Sequence, residues 1–243
     1  MSVYATEQRK QKNTCTNRGV ALDMDGVLID GMQFHIKAWK KAFSIYNIEV
    51  TPTEVYLLEG IKSPEVVETI CRKKDIPLTS IEKNNIVDVK RKIHREIFRV
   101  VSLPGSARLV RNLHSYGYDL VLVTGTSKEA AEKTLSELHI GSYFSNIVTS
   151  ETVGKGKPSP EPYLQARSML DVNPANCLVV ENSPPGIASA KSARLSCIAI
   201  ATYLEAKHLS EADKVFGNIE ECALWFESEF TRSRGQGVWT FLL

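Results

Sequence analysis

Long apolar runs are missing from this chain of 243 residues. Runs such as those at 178–180 or 198–201 fall far short of the roughly 20 consecutive apolar residues that a membrane-spanning helix requires. No apolar segment near the N-terminus resembles a signal peptide; residues 1–18 are polar and read as a frayed leader. Net charge is also nearly absent, at +2, which argues against a nucleic-acid binder held by phosphate neutralisation. The five cysteines (Cys15, Cys71, Cys177, Cys197 and Cys222) are odd in number and lack the paired spacing of a metal site. Cys177 and Cys197 sit in or beside apolar runs, as small buried thiols do, and a reducing, cytoplasmic setting fits. Internal repeats and low-complexity blocks are absent as well.

What remains is a chain with 43% hydrophobic and 24% charged residues, enough for one large domain or for a core carrying a smaller insertion. From Gly105 onward short apolar runs alternate with helix-like stretches. Helical patterns at 105–117, 128–139, 161–170 and 186–193 lead into apolar runs at 120–123, 147–148, 178–180 and 197–201, with a further short run at 215–216. This alternation predicts an α/β, Rossmann-like core: a parallel sheet with helices on both faces. The run at 20–22 belongs to the same set but is separated from it by residues 31–102, which carry helical patterns near 35–46, 64–73 and 81–100 and no convincing strand. The expected organisation is a core formed by 1–30 and 103–243, interrupted by a helical cap over 31–102. The cap holds 13 Lys and Arg against 9 Asp and Glu. Such an excess can draw in an anionic substrate, but the plainer reading is a solvated helix face over 88–99.

Ligands of open parallel sheets gather beyond the carboxyl ends of the strands. Asp23, Asp25 and Gly26 follow the first apolar run; Thr124, Gly125, Thr126 and Ser127 follow the run at 120–123; Glu181, Asn182 and Ser183 follow that at 178–180. A loop at 154–158 adds Lys155 and Lys157. Two acids one residue apart, with a third from another strand, suit an oxygen-only site for a hard cation such as magnesium. Thr124 offers a hydroxyl, Lys157 a positive charge, and the glycines let backbone amides approach a ligand. Together these are the parts that phosphoryl transfer demands, because the transferred group must be clamped and neutralised during in-line attack. No Ser–His–Asp set or zinc-type cluster competes. Gly26 and Gly31 have P-loop spacing, but Met32 stands where a lysine is needed. Taken singly these residues have plainer uses: Lys157 as a loop lysine, Ser183 before Pro184 as a helix start, and Asp30 as a helix cap or a hinge.

The segments Asp23-Met-Asp-Gly-Val-Leu, Leu-Val-Thr124-Gly-Thr-Ser, Lys157-Pro-Ser-Pro-Glu-Pro-Tyr and Val-Val-Glu181-Asn-Ser-Pro-Pro-Gly-Ile resemble, in order, the four motifs of the haloacid-dehalogenase-like hydrolases. The subgroup resembled contains β-phosphoglucomutase and phosphoglycolate phosphatase and carries a helical cap after the first motif. The resemblance implies that Asp23 attacks phosphorus to form an aspartyl-phosphate. Asp25 would protonate the leaving oxygen and later activate water, while Thr124 and Lys157 hold phosphoryl oxygens with Gly125 and Thr126 close by. It also implies magnesium held by the Asp23 carboxylate, the Asp25 carbonyl and Glu181, with Asn182 offering an amide oxygen where mutase-like members carry a second acid. Arg194 stands where a glycine commonly ends the following helix. In the cap, His35 matches a hinge histidine of the mutase. The segment Leu58-Glu59-Gly60-Ile61-Lys62-Ser63 resembles the loop facing the active site but lacks the mutase arginine, leaving Lys62 as a point charge in its place. The balance favours a phosphatase acting on a small phosphorylated metabolite, with a sugar phosphomutase as the alternative and a non-catalytic phosphate-binding protein as a third reading. Nucleic acid and membrane are not expected partners, and oligomeric state is left open. The aromatic tail beyond Ala223 is expected to dock on the core.

Overall fold

The computed structural model describes residues 18–234. Cys15, nearly all of the expected leader, Trp239 and Phe241 lie outside the described residues. Six strands form one parallel sheet in the order β3-β2-β1-β4-β5-β6: β1 (Gly19–Asp23), β2 (Asp119–Val123), β3 (Phe144–Val148), β4 (Cys177–Glu181), β5 (Ser196–Ile200) and β6 (Lys214–Phe216). Every run read as a strand from the sequence is one. Because strand side chains alternate, each strand feeds two cores. Val20, Leu22, Leu120, Leu122, Leu178 and Val180 pack on one face, under α5 (Ser106–Ser115), α6 (Lys128–Glu137) and α9 (Ile219–Arg234). Ala21, Val121, Val123, Cys177, Val179 and Cys197 pack on the other, under α7 (Glu161–Leu170) and α8 (Pro184–Ser192). The near-continuous apolar character of the strands reflects this burial on both faces.

Between β1 and α5 lie four helices: α1 (Met32–Ser44), α2 (Pro52–Tyr56), α3 (Ser63–Lys73) and α4 (Ser80–Ile97). They enclose a hydrophobic cluster of their own, with Trp39, Phe43, Val67, Ile70 and Ile86 at its centre. Two elements were not expected from the sequence. Helix α2 has only five residues, too short for periodicity, although Thr51 and Glu54 form a capping box ahead of it and Pro52 opens it. Helix α9 covers the aromatic tail, begun by the Asn218 side chain accepting from Glu221 N at 2.9 Å. Phe226 is buried, Trp225 packs beside it, and Phe230 stacks on Tyr116. The described part of the tail therefore docks on the core, as expected.

Two local expectations are refined. Asp30 does not cap α1, whose N-cap is Gly31 without a side-chain bond; its carboxylate instead accepts from the Gln33 side chain and from Tyr203 OH, at 3.0 and 2.7 Å. Arg194 adopts the left-handed φ of +58° that a glycine commonly supplies at a helix end, and its amide donates to Lys191 O.

Candidate active site

With all strands parallel, their carboxyl ends share one edge of the sheet, and the cap helices cover that edge. Between them is a cavity of about 900 Å³ lined by Asp23, Asp25, Thr124, Gly125, Thr126 and Lys157 from the core. From the cap it is lined by His35, Glu59, Lys62 and Lys90, among others. Separate strand ends and loops, distant in sequence, thus deliver the expected residues to one place.

Lys157 is the centre of the floor. Its buried ammonium donates to both Asp23 Oδ1 and Glu181 Oε1. Glu181 is fully engaged: Oε1 also accepts from Tyr163 OH at 2.7 Å, and Oε2 from the amides of Asn182 and Ser183 and from Ser183 Oγ. Ser183 meanwhile caps α8 by accepting from Gly186 N at 3.2 Å, so its structural role coexists with its place at the site. Burial pushes the Glu181 carboxyl up, but Lys157 and the hydrogen-bond donors outweigh it and hold it below the ordinary range. One ammonium cannot neutralise two buried carboxylates. Asp23 carries the deficit: burial, reinforced by Glu181 and Asp25 and opposed by Lys157, pushes it up to about 8. Burial likewise pushes Asp25 up to about 6, with Lys90 and Lys157 pulling against it. Asp25 is held close by Gly31, where a side-chain Cβ would fall 1.7 Å from Asp25 Oδ1. Thr124 Oγ1 accepts from Thr126 N at 3.2 Å, turning the loop after β2 toward the cavity.

The expected trio of acids does not form a ready-made cation cage. Among the described residues no group of three or more His, Cys, Asp or Glu side chains is arranged to hold an ion. Lys157 stands between Asp23 and Glu181, and the oxygens of Glu181 are taken by donors. What the site does offer is a pair of buried oxygens with no hydrogen-bond partner, Asp25 Oδ1 and Asn182 Oδ1, beside an under-neutralised Asp23. Hard oxygen donors next to excess negative charge suit a small divalent cation. Asn182 is therefore better disposed than Glu181 to ligate directly, with Glu181 holding Lys157 behind it.

The roof came out differently from the sequence expectation. Lys90 of α4 is buried, and its Nζ lies 3.0 Å from His35 Nδ1, with the His94 ring 4.1 Å from that of His35. Burial and the neighbouring cations depress all three: Lys90 to about 8, His94 to about 4, and His35 well below the usual histidine range. The charges of α4 are thus not merely a solvated face. Lys90 lines the cavity from a buried position, whereas Arg91 and Arg95 line it while remaining exposed to water. His35 stands in this cluster instead of on an outer surface. Lys62 is committed elsewhere: its Nζ donates to Gly154 O at 2.6 Å, tying the cap to the core loop.

Glu59 was passed over by sequence reasoning, although it lies inside the segment singled out as facing the site. Its Oε2 accepts from Asn182 Nδ2 at 2.8 Å, and burial with three neighbouring acids raises its carboxyl well above the ordinary range. Gly60 beside it has φ +81°, and a Cβ there would meet Lys157 Cδ at 2.8 Å. Tyr163, already inside the third motif, was missed as the hydroxyl that holds Glu181, because no periodicity reveals a contact between a helix and a strand end.

Known proteins resemble this chain over most of its length. A bifunctional riboflavin kinase/FMN phosphatase of Arabidopsis thaliana is 32% identical across 84% of the chain, which spans 54% of that larger protein. The β-phosphoglucomutase of Bacillus subtilis is 31% identical over 75% of the chain and 83% of its own length. A solved structure of a candidate β-phosphoglucomutase from Bacteroides vulgatus superposes with a TM-score of 0.79 and 25% identity, covering 91% of each chain. A family model described as haloacid dehalogenase-like hydrolase matches residues 18–194. With that family model matched across most of its length, the chain belongs to the haloacid dehalogenase-like hydrolases.

Proposed function

We propose that this hydrolase cleaves small phosphate monoesters in two steps centred on Asp23. The convergence of Asp23, Asp25, Thr124 and Lys157 on one wall of the cavity carries the reading. The Asp23 carboxylate attacks phosphorus while Asp25 gives its proton to the departing oxygen, leaving an aspartyl-phosphate. Asp25 then takes a proton from the water that attacks this intermediate, releasing phosphate and restoring Asp23. The raised position of Asp25 favours the protonated form needed first. Lys157 and the Thr124 hydroxyl hold the phosphoryl oxygens, with Gly125 and Thr126 lining the same loop. The Asp23 carboxylate, the Asp25 backbone carbonyl and the Asn182 amide oxygen would hold magnesium, with Glu181 behind them. Bound there, magnesium supplies the positive charge that keeps Asp23 ionised and offsets charge on the transferred group.

A phosphomutase is the second reading, and the Bacillus subtilis relative favours it. Against it stands Lys62, the one cation in the segment where the mutase carries its arginine; it is spent on a core carbonyl and is poorly placed to hold a second phosphate. The substrate of our reading is a small phosphorylated metabolite, met in a cytoplasmic setting. No helix among the described residues is long and apolar enough to cross a membrane. Phosphate release from a generic aryl phosphate, dependent on magnesium, is the direct test; full activity in Asp23→Asn would end the proposal. Incubation with a hexose 1-phosphate separates the two readings, since a mutase yields the 6-phosphate and a hydrolase yields free phosphate.

A further inference from the structure

Asn182 is held from three directions. Its backbone amide donates to Glu181 Oε2 at 2.9 Å, and its side chain lies against Gly26, where any added side chain would collide with the amide group. The third hold comes from the cap: Asn182 Nδ2 donates to Glu59 Oε2 at 2.8 Å, between residues 123 positions apart in the sequence. That leaves Asn182 Oδ1, buried and with no hydrogen-bond partner among the described residues. A carboxylate presents an oxygen on either arm, whereas an amide presents an oxygen on one and an NH2 on the other. Only the oxygen can ligate a hard cation, and an NH2 turned the same way would repel it. Which way the amide is turned therefore decides whether Asn182 helps or hinders a cation, and the acceptor that takes its NH2 is Glu59.

We propose that Glu59 is a positioning residue for magnesium: by accepting from Nδ2 it keeps the oxygen of Asn182 on the arm left for the cation. The inference rests on the magnesium reading above and deepens it. Hydrogen bonding, not charge, does the positioning, since a carboxyl group accepts from an NH2 whether it is ionised or neutral. Because Glu59 belongs to the cap, the contact also requires cap and core to meet. They meet on both sides of Glu59 in the sequence. Tyr56 stacks on the core residue Tyr203 with ring centroids 4.9 Å apart, and Lys62 donates to Gly154 O at 2.6 Å. A cation that needs the oxygen of Asn182 thereby favours the closed cap, and the closed cap favours the cation by the same free energy.

Magnesium binding by the full chain, measured by calorimetry without substrate, tests this apart from turnover. Glu59→Ala removes the acceptor and should weaken magnesium binding about 10-fold or more, the usual cost of losing a partner behind a metal ligand. Glu59→Met, of similar length but without an acceptor oxygen, gives the same test if the alanine variant folds poorly. Glu59→Gln keeps a carbonyl oxygen able to accept from Nδ2, so its affinity should lie nearer to the parent than to Glu59→Ala. In an Asn182→Ala background, Glu59→Ala should cost nothing further, because the route from Glu59 to the cation is gone. Saturating magnesium should also slow hydrogen exchange over 57–62 more in the parent than in Glu59→Ala. Parent-like affinity in Glu59→Ala, a glutamine variant as weak as the alanine one, an equal loss in the Asn182→Ala background, or equal slowing of exchange would each overturn the role of Glu59. A parent chain that binds no magnesium would instead overturn the magnesium reading itself, and this inference with it.

Discussion

The floor and the roof of the cavity are left incomplete in different places: on the floor Asp25 Oδ1 and Asn182 Oδ1 lack partners although Glu181 is fully met. On the floor, Lys157 holds two carboxylates, and every oxygen of Glu181 is met by donors from α7, from its own strand end and from Lys157. On the roof, Glu59 Oε1 and His94 Nε2 are buried without partners. A network completed by its own protein stays fixed during reaction, which is what charge stabilisation at phosphorus requires. Buried polar groups without partners are costly until something completes them. The division is therefore between a Lys157–Glu181 network closed by its own donors and the buried polar atoms around it that are not.

Substitutions can break this division, beginning with the floor. Asp23→Asn is expected to lower kcat by about 10⁴-fold or more, measured as phosphate release, because the nucleophile is gone. The same change removes a carboxyl that burial has pushed up to about 8, so the metal-free variant should melt no lower than the parent. Asp25→Asn should lower kcat by roughly 10²- to 10⁴-fold, the range of a lost proton donor and acceptor. If either variant keeps its rate, the floor is not where the chemistry occurs.

Where cap meets floor, Gly60→Ala is the sharper probe. The left-handed φ and the contact with Lys157 both oppose a side chain, so kcat should fall about 10-fold or more while the fold survives, since the strain is of order 1–3 kcal/mol. The pH dependence of metal-free stability is a further test of the floor. Asp23 and Asp25 bind protons more tightly folded than unfolded, so folding gains from them at low pH. That gain is lost as pH rises from about 4 through 6 for Asp25 and toward 8 for Asp23. Glu181 has the opposite sign, adding stability above its ordinary range. The depressed His35 and His94 work the other way below about pH 6.5. The decline should therefore show in the metal-free melting temperature of the parent relative to Asp23→Asn between about pH 6.5 and 8, and added magnesium should recover most at the upper end. A flat profile would mean that the floor is not short of positive charge. The smallest effect is expected at the turn ahead of α1: Tyr203→Phe removes the donor to Asp30, a loss of about 1 kcal/mol in denaturant unfolding with catalysis little altered.

Much of the floor was legible because its signals are local. An apolar run followed at once by Asp-x-Asp, by Thr-Gly-Thr or by Glu-Asn-Ser declares both the strand and what projects from its end. Parallel pairing then makes one edge of all those ends. The roof has no such signal. Lys90 sits among many charges on α4, and helical periodicity alone does not tell which of them turns inward. Glu59 lies in a short connection with no period at all. The partnership of Asn182 with Glu59, and of Tyr163 with Glu181, joins residues whose approach depends on how whole elements pack.

By itself, then, the amino-acid sequence determined the alternating sheet, the inserted helices and the four strand-end motifs, because hydrophobic periodicity and turn chemistry act over a few residues. Only the tertiary structure decided which acid is saturated and which oxygen is left open. Glu181 gave its oxygens to Lys157, Tyr163 and backbone amides, while Asn182 and Glu59 each kept one buried oxygen unmet. Hydrogen-bond satisfaction is a property of groups brought together from distant parts of the chain, and no local pattern records it.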